Sequence, residues 1–355
     1  MTGIFILVTI VFILMTAFPF LLSLGIPGEE ERGTLVVKSD NRRNPRYFAV
    51  SFKEIVQKAM ENSSEDGVLQ LSKPEQFVYP DEIKDKTVDR LVVCRADFVG
   101  EEPLVLEKEL YSGYNVELAE NTQARAVSAE RLRPKRNCRI MRWCDGESEA
   151  FIEPECNLGV SATSAVYLQV MEKCTFQRLY APQVDVIAES EDGPVRLEPD
   201  ADVTVEIPGE CKDVERNVRV ISSDSIIKGD VITKHPLYIE DGARILGHVK
   251  SRKSIYIENN VVIDGNVFAD DSIVLQENCH VTGDLFSQQD VYVGPHCVIG
   301  QKGKTKSVIA KSKIFLCEDV TVFGYIGCDD RGQTLTREAF ERLPQIQSNG
   351  KEMVK

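Results

Sequence analysis

The stretch Leu237-Tyr-Ile-Glu-Asp-Gly-Ala-Arg-Ile-Leu-Gly-His-Val249 decides the fold. Its pattern is aliphatic-x-aliphatic, a turn, and then aliphatic-x-Gly-x-aliphatic. The whole pattern returns at 255–267 and at 273–285 as an 18-residue repeat, and its first triplet returns once more at 291–293. A fixed period of about this length is typical of stacked supersecondary units, in which each unit buries its apolar side against the next.

Apolar residues inside each repeat also recur at every sixth position, which predicts three short strands per coil. Two series of such residues are predicted to face inward. The first contains Ile239, Ile245, Ser251, Ile257, Ile263, Ala269, Leu275, Val281, Ser287, Val293 and Ile299, and the second contains Ala243, Val249, Ile255, Val261, Val267, Ile273, Cys279, Leu285, Val291 and Cys297. The sequence therefore predicts an all-β fold, with a three-sided parallel β-helix of 18-residue coils over residues 218–330.

A fainter copy of the repeat lies upstream. The residue pairs that indicate it are Phe98 with Val116, Ile152 with Val170, Cys156 with Cys174, Leu158 with Phe176, Leu168 with Val186, and Val166 with Val184. Pro134 interrupts the series that begins at Phe98. We predict a degenerate β-solenoid lobe over residues 91–188, followed by an insertion at 189–217 where the phase of the repeat changes.

The N-terminal residues 1–28 carry no charged side chain. At ~1.5 Å per residue such a helix reaches across a bilayer core of ~30 Å. A cleaved signal peptide is the alternative, but it would carry Lys or Arg before the apolar run. We predict an uncleaved transmembrane anchor. The basic residues that follow it, from Arg32 to Arg46, place the bulk of the chain in the cytoplasm by the positive-inside rule.

The remaining segments have weaker signals. Residues 29–90 are predicted to form a linker with a short helix that Ser51 would cap. Residues 331–355 are predicted to form a C-terminal helix, between Thr334 and Gln345, and a tail. Lys302-Gly-Lys-Thr-Lys306 lacks the spacing of a phosphate-binding loop and is predicted to be a three-residue bulge in the solenoid.

Residues 222–328 resemble the bactofilin family of bacterial polymer-forming cytoskeletal proteins through the pattern at 237–249. The resemblance implies a right-handed β-helix that polymerises end to end without nucleotide, at the inner membrane, and positions envelope or cell-shape proteins. An open solenoid end exposes strand edges that another copy can pair with. We therefore predict self-association through the end coils. The candidate assembly residues are Ile227 and Val231 at one end, and Phe315, Val322, Phe323 and Tyr325 at the other.

Two alternatives share this fold. A trimeric hexapeptide-type acyltransferase also uses 18-residue coils, but it places a small residue directly after the inward aliphatic, where this chain has Glu240 and Leu246. It would also need a catalytic base. The four histidines, His235, His248, His280 and His296, lie in no motif. A monomeric membrane adaptor with capped solenoid ends is the other alternative.

Composition narrows the chemistry further. A net charge of -14 argues against nucleic acid as a partner, because phosphate binding needs clustered Lys and Arg. The ten cysteines are scattered without a CxxC pair, so we interpret them as reduced, small core residues. We predict no catalytic residue, no metal site and no cofactor.

Overall fold

The computed structural model describes residues 44–61, 68–71, 86–189, 215–216 and 219–347. The predicted anchor at 1–28 and most of the predicted insertion at 189–217 lie outside these residues. The chain divides into two units at Asn44 and Pro45, and every element described below belongs to the second, Pro45–Lys355. Within the described ranges, no helix combines the length and the apolar character needed to cross a membrane.

Short strands build almost all of the second unit, and the described residues contain 29 of them. The upstream strands are β1 (Val68–Leu71), β2 (Thr87–Val88), β3 (Leu91–Cys94), β4 (Phe98–Val99), β5 (Val105–Ser112), β6 (Asn115–Leu118), β7 (Gln123–Pro134), β8 (Arg139–Ile152), β9 (Ser161–Ser164), β10 (Tyr167–Met171) and β11 (Thr175–Ile187). The downstream strands are β12 (Glu215–Arg216), β13 (Val220–Ile221), β14 (Ile226–Lys228), β15 (Val231–Thr233), β16 (Leu237–Ile239), β17 (Arg244–Leu246), β18 (Val249–Ser251), β19 (Ile255–Ile257), β20 (Val262–Ile263), β21 (Val267–Ala269), β22 (Ile273–Leu275), β23 (His280–Val281), β24 (Leu285–Ser287), β25 (Val291–Val293), β26 (Val298–Ile299), β27 (Lys306–Ala310), β28 (Lys313–Cys317) and β29 (Val320–Leu335).

The downstream strands form a parallel β-solenoid with three strands in each coil. Each strand from β14 to β25 pairs in parallel with the strand three places later, so Leu237 lies beside Ile255, and Ile255 beside Ile273. Every residue of the two predicted inward series is at most 2% exposed. The sequence prediction of an all-β parallel solenoid with 18-residue coils is therefore confirmed.

One tight turn per coil explains the turn residues in the repeat. Gly242, Asn260, Asn278 and His296 all have positive φ, between 56° and 70°. Gly adopts this conformation without strain, and Asn adopts it more readily than other residues. The left-handed turn redirects the chain and returns the next residue to the core.

From β13 onwards the 18-residue step is broken once, between the fourth and fifth coils. Leu285 pairs with Val308 instead of with the position one regular repeat further on, so the coil holds five extra residues rather than the three predicted. The extra residues form a turn closed by a bridge between Gln301 and Lys304. Position 303, at the tip, has φ +80, which Gly accommodates without strain.

The upstream strands form a second solenoid lobe, as predicted, but several of its steps are shorter than the 18-residue repeat by one or two residues. Leu168 pairs with Val184 rather than with Val186. Val116 pairs with Leu132 and Leu118 with Pro134, so Pro134 is the last residue of this ladder and does not interrupt the stack. A coil that is shorter by two leaves the same side chains facing inward, because side chains alternate with a period of two.

Three short helices flank the two lobes. Helix α1 (Tyr47–Glu61) begins four residues before Ser51, so this serine lies inside the helix and does not cap it. The predicted C-terminal helix is divided into α2 (Arg337–Glu341) and α3 (Pro344–Gln347), and Thr336 caps α2 by accepting a hydrogen bond from the Ala339 amide. The break falls before a proline, which disfavours helical backbone in the preceding residue.

The two lobes meet through their last coils. Strand β11, at the end of the upstream lobe, pairs antiparallel with β29, at the end of the downstream lobe. Because every other long ladder is parallel, this junction reverses the direction of stacking. The sequence analysis did not predict it.

Candidate functional site

The two ends of the downstream solenoid are the candidate assembly surfaces. The first-coil edge consists of β12, β13 and β14, and the tail edge is β29. Strands β12, β13 and β14 pair on one side only, with β15, β16 and β17. Within the described residues no strand pairs with their other side, so backbone N–H and C=O groups there are available to a partner strand.

Apolar side chains are exposed beside this edge. Val220, Ile226 and Ile232 expose 43%, 40% and 46% of their surface. The predicted contact residues Ile227 and Val231 are buried instead, because their side chains face inward in the first coil. At this end, therefore, the outward neighbours of the predicted residues carry the exposed apolar surface.

The tail edge is already occupied inside the chain. Strand β11 follows β29 from the pair Thr175–Gln333 to the pair Val186–Val320, with two irregularities in the register. Strand β29 also pairs with β26, β27 and β28 of its own lobe. Both sides of β29 are thus hydrogen bonded to other strands.

The four predicted assembly residues at this end lie in or beside the junction. Val322 is buried and lies opposite Val184, and Tyr325 lies opposite Tyr180. Phe323 is also buried, and Phe315 stacks on Tyr292 with ring centroids 5.0 Å apart. The structure brings these residues together within one chain. As contacts between copies, all six residues remain a prediction.

A buried carboxylate joins the lobes at the junction. The Asp185 side chain is fully buried and accepts hydrogen bonds from the Tyr167 hydroxyl (2.9 Å) and the Gln183 amide (2.9 Å), both of the upstream lobe. The Thr321 hydroxyl of the downstream lobe donates a third, at 2.8 Å. A buried carboxylate without its donors is costly, so these bonds favour this one register of the junction.

A second polar contact crosses the junction at its other end. The Thr334 hydroxyl donates to the Met171 carbonyl at 2.7 Å and accepts from the Cys174 amide at 2.9 Å. Thr334 is fully buried. A polar residue at an interior position of the last coil is the one sequence signal that could have indicated a partner at this end.

Helix α1 is fixed to the outer face of the upstream lobe. The Arg46 guanidinium donates two hydrogen bonds, of 2.8 and 2.7 Å, to the buried Asp145 carboxylate, and this bonding raises the pKa of Arg46. Phe52 packs edge-on against Trp143, with centroids 5.4 Å apart. On the solvent side of the helix Ile55 is 60% exposed, among the exposed polar residues Glu54, Gln57 and Lys58.

The cysteines serve packing, as the sequence analysis predicted. The nine described cysteines are free and buried; Cys211 lies outside the described residues. The thiols of Cys279 and Cys297 donate to backbone carbonyls of the preceding coil, each at 2.9 Å. Burial raises the pKa of the Cys94 thiol to about 12, so this thiol is protonated near neutral pH.

The histidines considered as catalytic bases have separate structural contacts. The ring of His248 accepts a hydrogen bond from the Asn266 amide at 3.0 Å, and that of His280 lies 3.3 Å from the Gly300 carbonyl. His296 lies 3.8 Å from the Asp319 carboxylate. In the part of the chain that the structure describes, no three His, Cys, Asp or Glu side chains are grouped to hold a metal ion.

Comparison with known proteins supports the resemblance over one segment. Residues 201–299 match the sequence model of a family described as bactofilin, polymer-forming cytoskeletal. The matched segment contains strands β12 to β26 and thus includes the first-coil edge. No curated protein and no solved structure matches the chain significantly.

Proposed function

We propose that the chain is a membrane-anchored, self-assembling scaffold of bactofilin type, with a right-handed, three-sided β-helix as its assembly module. One observation carries this proposal. The segment that matches the family, 201–299, contains a regular coil stack, and the strands at the first-coil edge of this stack are paired on one side only. Polymer formation is the described property of the matched family.

The physical basis is strand addition at an open edge. A second copy that pairs with β13 and β14 satisfies their unpaired backbone groups and covers the exposed side chains of Val220, Ile226 and Ile232. Contacts that do not close on themselves produce filaments, whereas a two-fold contact produces a dimer.

The proposed role is structural and not catalytic. The matched family is cytoskeletal, and the histidines and turn aspartates of the coil stack bond to the backbone of neighbouring coils. We propose that the partners are further copies of the chain, the membrane, and envelope or cell-shape proteins that the assembled scaffold positions.

Sedimentation of residues 29–355, with negative-stain imaging of the same sample, tests the assembly. We expect polymers without added nucleotide, and we expect Ile226→Glu to abolish them. Val160→Glu is the matched control, because Val160 is also exposed (38%) but lies in the upstream lobe. Discrete trimers would favour the acyltransferase alternative and would refute the scaffold.

The membrane anchor needs its own test. We propose that residues 1–28 span the inner membrane once and leave the bulk of the chain in the cytoplasm. The full chain should stay in the membrane pellet after alkaline carbonate extraction, and deletion of 1–28 should release it. Protection of the C-terminus from protease added to intact spheroplasts tests the orientation, and cleavage there would refute it.

The junction favours one further candidate, a capped adaptor. Because β11 covers the tail edge, a copy whose first-coil edge pairs only with the first-coil edge of another copy forms a two-fold contact and stops at a pair of chains. A clean monomer or dimer at all concentrations in the sedimentation experiment would support this interpretation over the filament.

A further inference from the structure

The junction between β11 and β29 is a non-covalent contact between segments that lie far apart in the sequence. Thr175 to Val186 of the upstream lobe pairs with Val320 to Gln333 of the downstream lobe. Hydrogen bonds, such as that from Thr321 to Asp185, and buried side chains hold it together. All nine described cysteines are free, so no disulfide among them crosses it.

The connection between the lobes is long compared with the distance it must cover. Strand β11 ends at Ile187 beside the start of β29, and β12 begins at Glu215, seven strand spacings from β11 along the coil stack. At ~4.8 Å per spacing the distance is about 34 Å. The intervening residues 188–214, if fully extended, reach roughly 90 Å.

We propose that β11 in the upstream lobe of one copy also pairs with the β29 strand of a second copy, so that chains assemble by exchanging this junction. The inference rests on the proposed function, since it presupposes self-assembly. The partner is a second copy because the same residues form the same ladder in either arrangement, including the bond between Asp185 and Thr321. Exchange therefore creates no new contact and loses none.

The exchanged arrangement is open-ended. Each chain offers one upstream lobe and one β29 edge, which are different surfaces, so copy after copy can be added without closing. The four predicted residues at the tail, Phe315, Val322, Phe323 and Tyr325, then lie at contacts between chains as well as within them.

Local concentration decides between the two arrangements. A tether of this length holds the two lobes of one chain at an effective concentration on the order of 1 mM. In dilute solution the junction within one chain is therefore favoured. The proposed membrane anchor confines many copies to a surface, where their local concentration rises towards ~1 mM. Under these conditions pairing between copies competes with the junction inside each chain.

Cysteine cross-linking between two variants tests the exchange. One full-length chain carries Thr175→Cys and the other Gln333→Cys, because these residues are partners in the junction and each is half-buried. The two are reconstituted together in lipid vesicles at high and at low surface density and oxidised with copper phenanthroline. Arg131→Cys mixed with Lys250→Cys, both exposed and one in each lobe, measures random collision.

At high surface density we expect the mixed sample to yield at least ten times as much disulfide-linked dimer as the collision control. At low surface density the yield in the mixed sample should fall ten-fold. Each variant alone should form no such dimer. A double variant with both cysteines in one chain should form an internal disulfide at every density, which shows that the chemistry works.

The outcomes separate this inference from the proposed function. In one outcome assemblies sediment and the double variant is fully oxidised, but the mixed sample yields no more dimer than the collision control. This outcome would overturn the exchange and would leave the proposed scaffold function intact. Absence of both assemblies and mixed dimer at high density would overturn both.

Discussion

A methyl group placed at Gly265 should destabilise the downstream solenoid more than the same change at an open position such as Gly113. Gly247, Gly265 and Gly283 occupy one column of the coil stack. A Cβ on Gly265 would collide with the carbonyl of Gly247, lying 2.6 Å from its carbon and 3.0 Å from the His248 nitrogen. These neighbours are backbone atoms that cannot turn aside. The coils can relieve the collision only by moving apart, which disrupts the ladders on either side.

The expected cost of Gly265→Ala is about 2 kcal/mol, since overpacking of a close-packed site costs ~1–3 kcal/mol. No positive φ is involved, so the cost is steric and not conformational. With an m-value of roughly 2 kcal/mol/M in urea, the midpoint of unfolding should fall by about 1 M.

Gly113→Ala is the matched control, because no atom lies within 4 Å of its added Cβ and its backbone is ordinary. Circular dichroism of both variants in urea measures the two midpoints. The control should shift by no more than about 0.2 M, equivalent to roughly 0.5 kcal/mol. If Gly265→Ala shifts as little as the control, the coils do not depend on this close approach and the reasoning fails.

Three further predictions concern the junction, the thiols and helix α1. Thr321→Val removes a hydrogen bond to a buried carboxylate and should cost about 1.5–3 kcal/mol in urea unfolding, whereas Thr321→Ser should cost less than half of that. Burial raises the pKa of the Cys94 thiol from 9.0 to about 12, so between these two pH values only the unfolded chain loses the proton. The free energy of unfolding should therefore stay constant below pH 9 and fall by up to ~1.4 kcal/mol per pH unit above it. Cys94→Ser should weaken this dependence when unfolding is measured at a series of pH values. Arg46→Gln leaves the Asp145 carboxylate buried without its cation and should cost about 2–3 kcal/mol. Lys53→Gln, inside helix α1, breaks an exposed ion pair and should cost ~0–1 kcal/mol. Equal losses in thermal unfolding would contradict the buried role of the Arg46–Asp145 pair.

The downstream solenoid could be predicted because its signals are local and repeated. The inward positions recur at every sixth residue, and the residue at each sharp turn, such as Asn260 or Asn278, tolerates positive φ. Each repeat is independent evidence for the same period. Even the small inward residues followed from the pattern, since Ser251 and Cys279 occupy columns of aliphatic residues.

The register of the upstream lobe was harder to predict for a physical reason. A regular coil and a coil that is shorter by two leave the same side chains inward, so hydrophobic alternation does not separate them. The pairing of Leu168 with Val184 therefore depends on how the intervening turn is closed. The same ambiguity concealed the pairing of Val116 with Leu132, two residues before Pro134.

The junction had almost no local signal. It pairs Thr175–Val186 with residues more than 130 positions later, and both strands already satisfy the pattern of an interior coil. Nothing in the alternation of β29 shows that a second strand will cover its edge. The sequence prediction located apolar residues where stacking stops, at Val322 and Phe323, but could not show that the chain itself supplies a partner for them.

The occupied tail edge leaves two routes to assembly, and they differ in how concentration controls them. Addition at the first-coil edge has no competitor among the described strands, so its onset depends only on the affinity of that contact. Exchange of the β11–β29 junction competes with the same contact inside each chain, so it begins only as the local concentration approaches ~1 mM. Polymers of residues 29–355 at micromolar concentration would therefore indicate the first-coil edge, whereas assembly confined to crowded membranes would indicate exchange. Removing the anchor should abolish the second route without changing the first.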